Sequence, residues 1–272
     1  MKHRYAAQTR NIGKTEIRHK TLKDMETLND VAFLLLAKFD SYVRLENALA
    51  VSEYISDRLK GNIRFMEVGN RSSSIFPKLM PVGVKYEFVQ DDDNVLHRTW
   101  YINRMLDGVK EKYVAIWDVD VIIPENQVYE AVNALKQGSD FSYPYEYDFL
   151  ETSVEIRKMF LENKDPQTLI KCRDFMNRLY TPNPVGGVFF ANLQSYMDCG
   201  KENVDFYGWG IEDGERYMRW LSQGKSISRV KGPLFHLTHP RGPNSTMPNS
   251  DDVVVKKRIY LSTLRGAKWK GF

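Results

Sequence analysis

Tyr113-Val-Ala-Ile-Trp-Asp118-Val-Asp120 is the stretch on which the fold turns. Five apolar residues without a polar interruption read as a strand buried on both faces, and the run stops at two carboxylates. Open α/β sheets bind ligands outside the carboxyl ends of their strands, so acids in this place point to a site. In an extended chain positions i and i+2 face the same side, which lets Asp118 and Asp120 reach one divalent cation. Outward from this strand the chain alternates in the same way. Upstream lie the apolar run Val31–Ala37, a helical repeat of Leu45, Ala48, Val51, Ile55 and Leu59 stopped by Gly61, strand candidates at 63–68 and 85–90, and a helix over 96–110. Downstream, Pro124 opens a helix over 125–137, and a less regular insertion follows from Tyr143 to Pro184 with helices expected at 151–162 and 167–179. Gly186-Gly-Val-Phe-Phe-Ala191 returns as a strand. The pattern predicts an α/β fold with a Rossmann-like, mostly parallel central sheet flanked by helices.

The chain has 272 residues, 42% of them hydrophobic and 12% aromatic, enough for a sizeable core in one domain over 1–272, with 1–25 and 240–272 as terminal extensions. Cys172 and Cys199 have neither the number nor the spacing of a disulfide framework or a zinc site and read as buried thiols in a reducing compartment. No apolar run approaches the roughly 20 residues of a membrane-spanning helix, and the first residues lack the apolar core of a signal peptide. A cytoplasmic location is expected. The net charge is +4, with basic residues crowding the ends from Lys2 to Lys23 and from Lys256 to Lys270. Such ends suit peripheral contact with the anionic inner face of a membrane or solvated tails, and no recognition module for nucleic acid accompanies them.

Two further segments carry chemistry. His236-Leu-Thr-His239 follows an apolar Pro-Leu-Phe, and imidazoles joined to carboxylates suit Mn²⁺ better than the all-oxygen shell preferred by Mg²⁺. Gly208-Trp209-Gly210-Ile-Glu212-Asp213 sets an indole between glycines and places two acids where a helix begins. An indole freed in this way can stack on a sugar ring, and the helix dipole favours ionised acids in the first turn. One carboxylate can then hold a sugar hydroxyl while the other accepts its proton.

The ordered set Asp118-Val-Asp120, Gly186-Gly187-Val188, Gly208-Trp-Gly-x-Glu-Asp213 and His236-x-x-His239 resembles the β-1,4-galactosyltransferase family and the galactosyltransferase-like domains of bacterial chondroitin-type polymerases, over roughly residues 30–240. The resemblance implies a GT-A fold and an inverting transfer of a sugar, galactose first, from a UDP-sugar to a carbohydrate acceptor, with a lipid-linked acceptor as one option in bacterial surface polysaccharide synthesis. It implies Mn²⁺, with Mg²⁺ as the alternative, held by Asp120, His239, His236 and Asp118. Asp213 matches the family's general base and Glu212 its hydroxyl-binding neighbour, while Trp209 and Gly187 belong with the acceptor. Asp40, Arg44, Glu67, Arg98 and Asn103 join Asp118 and Asp120 on the donor side. Gly214 stands where the animal enzymes usually carry a third acid, which puts N-acetylglucosamine as the acceptor in doubt. UDP-GalNAc or UDP-glucose transfer, a nucleotidylyltransferase and an inactive carbohydrate-binding relative are the competing readings. The Pro-, Gly-, Asn- and Ser-rich 240–250 reads as a lid or a surface loop.

Overall fold

The computed structural model describes residues 28–246 and 250–266. The expected extension 1–25, Lys268 and Lys270 lie outside them, as do residues 247–249 of the expected lid. Strand β1 (Val31–Ala37) leads into helix α1 (Tyr42–Asp57), and β2 (Asn62–Gly69), the short α2 (Phe76–Leu79), β3 (Lys85–Gln90), α3 (Arg98–Leu106) and β4 (Tyr113–Trp117) follow. Ser41 starts α1 by accepting a 3.2 Å hydrogen bond from the Arg44 N–H, which satisfies one of the free donors of a helix start. At the other end a Cβ on Gly61 would stand 2.7 Å from Ile55 Cγ2, so only glycine lets the chain turn back under the helix.

Beyond β4 come β5 (Val121–Ile122), α4 (Glu125–Lys136), β6 (Phe141–Tyr143), β7 (Phe149–Glu151), α5 (Val154–Asn163), α6 (Pro166–Lys171) and β8 (Asn177–Leu179). The chain continues through β9 (Val188–Asn192), α7 (Leu193–Asp198), α8 (Glu212–Ser222), β10 (Ile227–Arg229), β11 (Leu234–His236) and α9 (Ser250–Gly266). The large sheet runs β10-β6-β9-β4-β1-β2-β3. All its pairings are parallel except those of β9, which is antiparallel to both β4 and β6. Its central strands β9, β4 and β1 are buried along nearly their whole length, and each buried aliphatic or aromatic side chain there stabilises the fold by about 1.5–3 kcal/mol.

A second sheet, β5-β11-β7-β8, stands beside the first. It changes the reading of the insertion. The helix expected at 167–179 ends at Lys171; a single 3-10 turn over Arg173–Phe175 follows, and Asn177–Leu179 pairs with β7 as an antiparallel edge. The helix expected from 151 starts at Val154, because Phe149–Glu151 is taken by pairing with β11. In both places strand partners distant in sequence override local helical preference. One of the crossings between the two sheets is the three-residue stretch Asp118-Val119-Asp120, between β4 and β5.

Candidate active site

The crossing from β4 to β5 is a turn, closed by the Val121 N–H donating to the Asp118 carbonyl at 3.2 Å. Asp118 and Asp120 therefore do not stand on an extended strand, and their side chains find different partners. Asp120 is fixed by the small sheet: His236 is in register with Val121 across β11 and β5, and the Leu237 N–H donates to the Asp120 carbonyl at 2.7 Å. A carboxylate oxygen of Asp120 and ring nitrogens of His236 and His239 lie within 4.8 Å of one another, and all three residues are buried.

These residues fit a divalent cation. His239 Nδ1 is 2.9 Å from the Pro240 carbonyl, an acceptor only, so the proton sits on Nδ1. His239 Nε2 faces Asp120 Oδ2 at 3.1 Å, two atoms between which a shared cation could be held. His236 Nε2 is 3.7 Å from Asp120 Oδ1, and its Nδ1 faces Glu151 Oε1 at 3.4 Å, the outer carboxylate that commonly orients a ligating imidazole. Burial alone would raise the Asp120 carboxyl, but His236, His239 and Arg44 together hold it well below the usual carboxylate range. The mixed nitrogen and oxygen set suits Mn²⁺.

The other end of the same cavity, about 430 Å³ in volume, is made by the Trp209 turn and α8. Asp213 in the first turn of α8 is held by Arg216 one turn on, Nη2 to Oδ1 at 2.6 Å. Arg216 is itself buried, 3.0 Å from Glu202 Oε2 and stacked over the Phe189 ring. Asp213 Oδ2 packs against Gly186, where a Cβ would come within 2.6 Å of it. Neighbouring Gly187 has φ +79° and its Cβ would collide with Leu234 at 2.8 Å, so this glycine serves the packing of the two sheets as well as the cavity wall. Glu212 is buried with Oε2 lacking any hydrogen-bond partner, and burial, then the charge of Asp213, pushes its carboxyl up to about 7. Trp209 is half-buried in the cavity wall.

Asp118 lines this cavity too, with Oδ1 taking a 2.8 Å hydrogen bond from Arg98 Nη2, outside the Asp120–His236–His239 group. Arg98 has a second, buried nitrogen, Nη1, with no partner. Arg44 sits beside His239, 3.3 Å from its ring nitrogens, and donates to Ser245 Oγ at 2.5 Å. Asp40 is 3.4 Å from the Arg44 Nε and, with Glu67, lines an adjoining cleft. Glu67 accepts from the Ser73 N–H and the Tyr86 hydroxyl. Asn103 is not brought to the cavity: its amide group exchanges hydrogen bonds of 2.8 and 2.9 Å with the backbone of Glu202. Sequence reasoning missed Arg216, Glu202, Glu151 and Ser245. The three-residue spacing of Asp213 and Arg216 on a helix was a usable signal. Nothing local marks the other three. Of the basic residues at the chain end, Lys256 is buried.

Residues 167–241 match a family model described as the N-terminal domain of galactosyltransferase. A xylosylprotein 4-β-galactosyltransferase of Caenorhabditis elegans is 24% identical over 96 residues, 31% of this chain and 33% of that protein. The match thus spans about a third of the worm enzyme's length. Among solved structures, the catalytic domain of Drosophila β1,4-galactosyltransferase 7 in complex with xylobiose superposes with a TM-score of 0.53 and 15% identity, covering 84% of this chain and 79% of that one. A mutant of the same fly enzyme, in complex with manganese, UDP-Gal and xylobiose, gives 0.52 at 14% identity, covering 83% and 79%. A mannosyltransferase from Pyrobaculum calidifontis, in complex with GDP-Man and Mn²⁺, gives 0.51 at 12% identity, covering 89% and 65%. The chain has the GT-A glycosyltransferase fold, and the motif resemblance to the β-1,4-galactosyltransferases is borne out by these matches.

Proposed function

We propose that this GT-A chain, one domain over residues 1–272, is a metal-dependent hexosyltransferase that moves a sugar, galactose first among candidates, from a UDP-sugar to a carbohydrate acceptor with inversion. The observation that carries the reading is one cavity with a cation-binding trio, Asp120, His236 and His239, at one end and the Glu212–Asp213 pair beside Trp209 at the other. Relatives of the same fold bind manganese, UDP-Gal and xylobiose in one case and Mn²⁺ with GDP-Man in another.

When bound, Mn²⁺ supplies neutralisation of the charge that grows on the departing nucleoside diphosphate. Arg44 beside the cation site and Arg98 beside Asp118 add fixed positive charge for the two phosphates. Asp213, held in place by Arg216 at 2.6 Å, accepts the proton of the attacking hydroxyl. Glu212, protonated up to about pH 7, can donate a hydrogen bond from the carboxyl whose Oε2 is otherwise unpartnered. The two neighbouring acids thus take two roles, Glu212 as hydrogen-bond donor and Asp213 as base, and a base across the sugar from the leaving group inverts the anomeric centre. Trp209 forms the wall against which a sugar ring stacks.

The proposal extends to a cytoplasmic enzyme of bacterial surface polysaccharide synthesis, with a lipid-linked acceptor and basic ends against the membrane. No helix among the described residues is long and apolar enough to cross one. Incubating the protein with UDP-galactose, UDP-GalNAc, UDP-glucose and GDP-mannose, with Mn²⁺ and then with chelator, tests the core of it. UDP released from one donor is expected; pyrophosphate release would indicate a nucleotidylyltransferase, and sugar binding indifferent to metal and nucleotide a carbohydrate-binding protein. Co-sedimentation with anionic liposomes at low salt is expected, and its absence would dismiss the membrane contact.

A further inference from the structure

We propose that Lys256, on the C-terminal helix α9, is a positioning residue that holds the Trp209 turn in place; this rests on the transferase reading for its functional meaning. Lys256 is 4% exposed, and its Nζ donates a 2.6 Å hydrogen bond to the Trp209 carbonyl. Its neighbours Val254, Val255, Lys257 and Arg258 are exposed, so this one residue of the basic run is turned inward. A buried ammonium is unfavourable unless a strong acceptor and a nearby anion compensate it. Both are here: the Trp209 carbonyl is the acceptor, and Asp252, one turn back on α9, supplies a carboxylate whose charge supports the ammonium against burial. An aliphatic side chain would fill the same space without that cost but could not reach for the carbonyl.

The turn needs such a hold. Ile211, the residue before α8, has φ +74° and ψ −24°, a conformation that a β-branched side chain disfavours, and no side chain caps the helix start there. A backbone of this kind persists only where its surroundings impose it. Helix α9 provides them at two points, through Lys256 on the Trp209 carbonyl and through the Thr263 hydroxyl donating to Glu215 Oε1 at 3.1 Å. The second contact sits on the body of α8; the first sits on the turn itself. Lys256 thus reaches from beyond the motif-bearing part of the chain to the wall that faces the acceptor.

Hydrogen–deuterium exchange of the full chain tests this without a known acceptor, comparing wild type with Lys256→Met and Lys256→Arg. The expected result is exchange about tenfold faster at the amides of 208–211 in Lys256→Met, no change in β1 and β4, and near wild-type behaviour in Lys256→Arg. The thermal shift produced by Mn²⁺ reports that the variants are folded. Unchanged exchange at 208–211, loosening shared equally by the rest of the chain, or an arginine variant that behaves like the methionine one would each overturn the proposal. Release of UDP from UDP-galactose by the wild type is read separately. A silent wild type with a loosened turn in Lys256→Met would sink the transferase reading and leave the contact standing.

Discussion

At one end of the cavity Asp120 and His236 stand on or beside paired strands; at the other, Trp209, Glu212 and Asp213 hang from a turn and the first turn of a helix. The metal end is placed by backbone register, with β5 and β11 aligning Val121 against His236 whatever the side chains do. The acid end is placed by side chains: Arg216 on Asp213, Lys256 on the Trp209 carbonyl, and Gly186 leaving room for the carboxylate. Geometry held by a ladder of backbone hydrogen bonds survives the loss of one side chain, whereas geometry held by three contacts does not. Mutations should therefore separate chemistry from stability cleanly at the metal end and mix the two at the acid end.

The sharpest contrast is expected from Asp213→Asn, which keeps the shape and removes the base. Transfer should fall by about 10²–10⁴-fold while UDP binding with Mn²⁺ persists, as calorimetry would show. Transfer at the wild-type rate would remove Asp213 from its role. Arg216→Leu comes next and acts through stability, because it leaves Glu202 buried without its ion pair. A loss of about 3–5 kcal/mol is expected in denaturant unfolding. A loss below about 1 kcal/mol would mean that Asp213 and Glu202 need no common anchor.

The smallest effect concerns pH. The Glu212 carboxyl is raised in the folded chain from the ordinary 4.5 to about 7, so between these values the native state binds more protons than the unfolded one. Stability contributed by the protonated form is complete below about pH 4.5 and is lost as pH rises through about 7, by about 1–3 kcal/mol. Thermal unfolding of metal-free protein should show this decline, and Glu212→Gln should flatten it. A variant with the same slope as wild type would assign the decline to other groups.

Much of the large sheet was legible in the chain. Strands β1, β4 and β9 are nearly continuous apolar runs, while β2 and β3 mix apolar with charged residues and still carry enough β-branched and aromatic side chains to read as strands. The small sheet was not. Its strands have two or three residues each, and Asn177–Leu179 has no strand character until β7 lies beside it. The candidate site divides along the same line. His236, His239, Glu212, Asp213 and Trp209 stood out because spacing and residue type advertise them. Asp118 was read from the geometry of an extended strand that in fact ends one residue earlier, at Trp117, so its side chain meets Arg98 instead. Asn103 was assigned by resemblance to a helix that lines the diphosphate in similar enzymes, and which face of that helix meets the Glu202 loop is a tertiary fact. Lys256 read as part of a basic tail, since nothing in its neighbours shows that one lysine of the run turns inward.

The most direct test of the account follows UDP release from UDP-galactose by wild type and Asp120→Ala, each with Mn²⁺ and with chelator. Wild type with Mn²⁺ should turn over, and both chelation and the substitution should reduce the rate by about 10³-fold or more, with metal-free Asp120→Ala still unfolding in one cooperative transition. Release that ignores both the chelator and the loss of Asp120 would contradict the central claim that the metal end and the acid end serve one reaction.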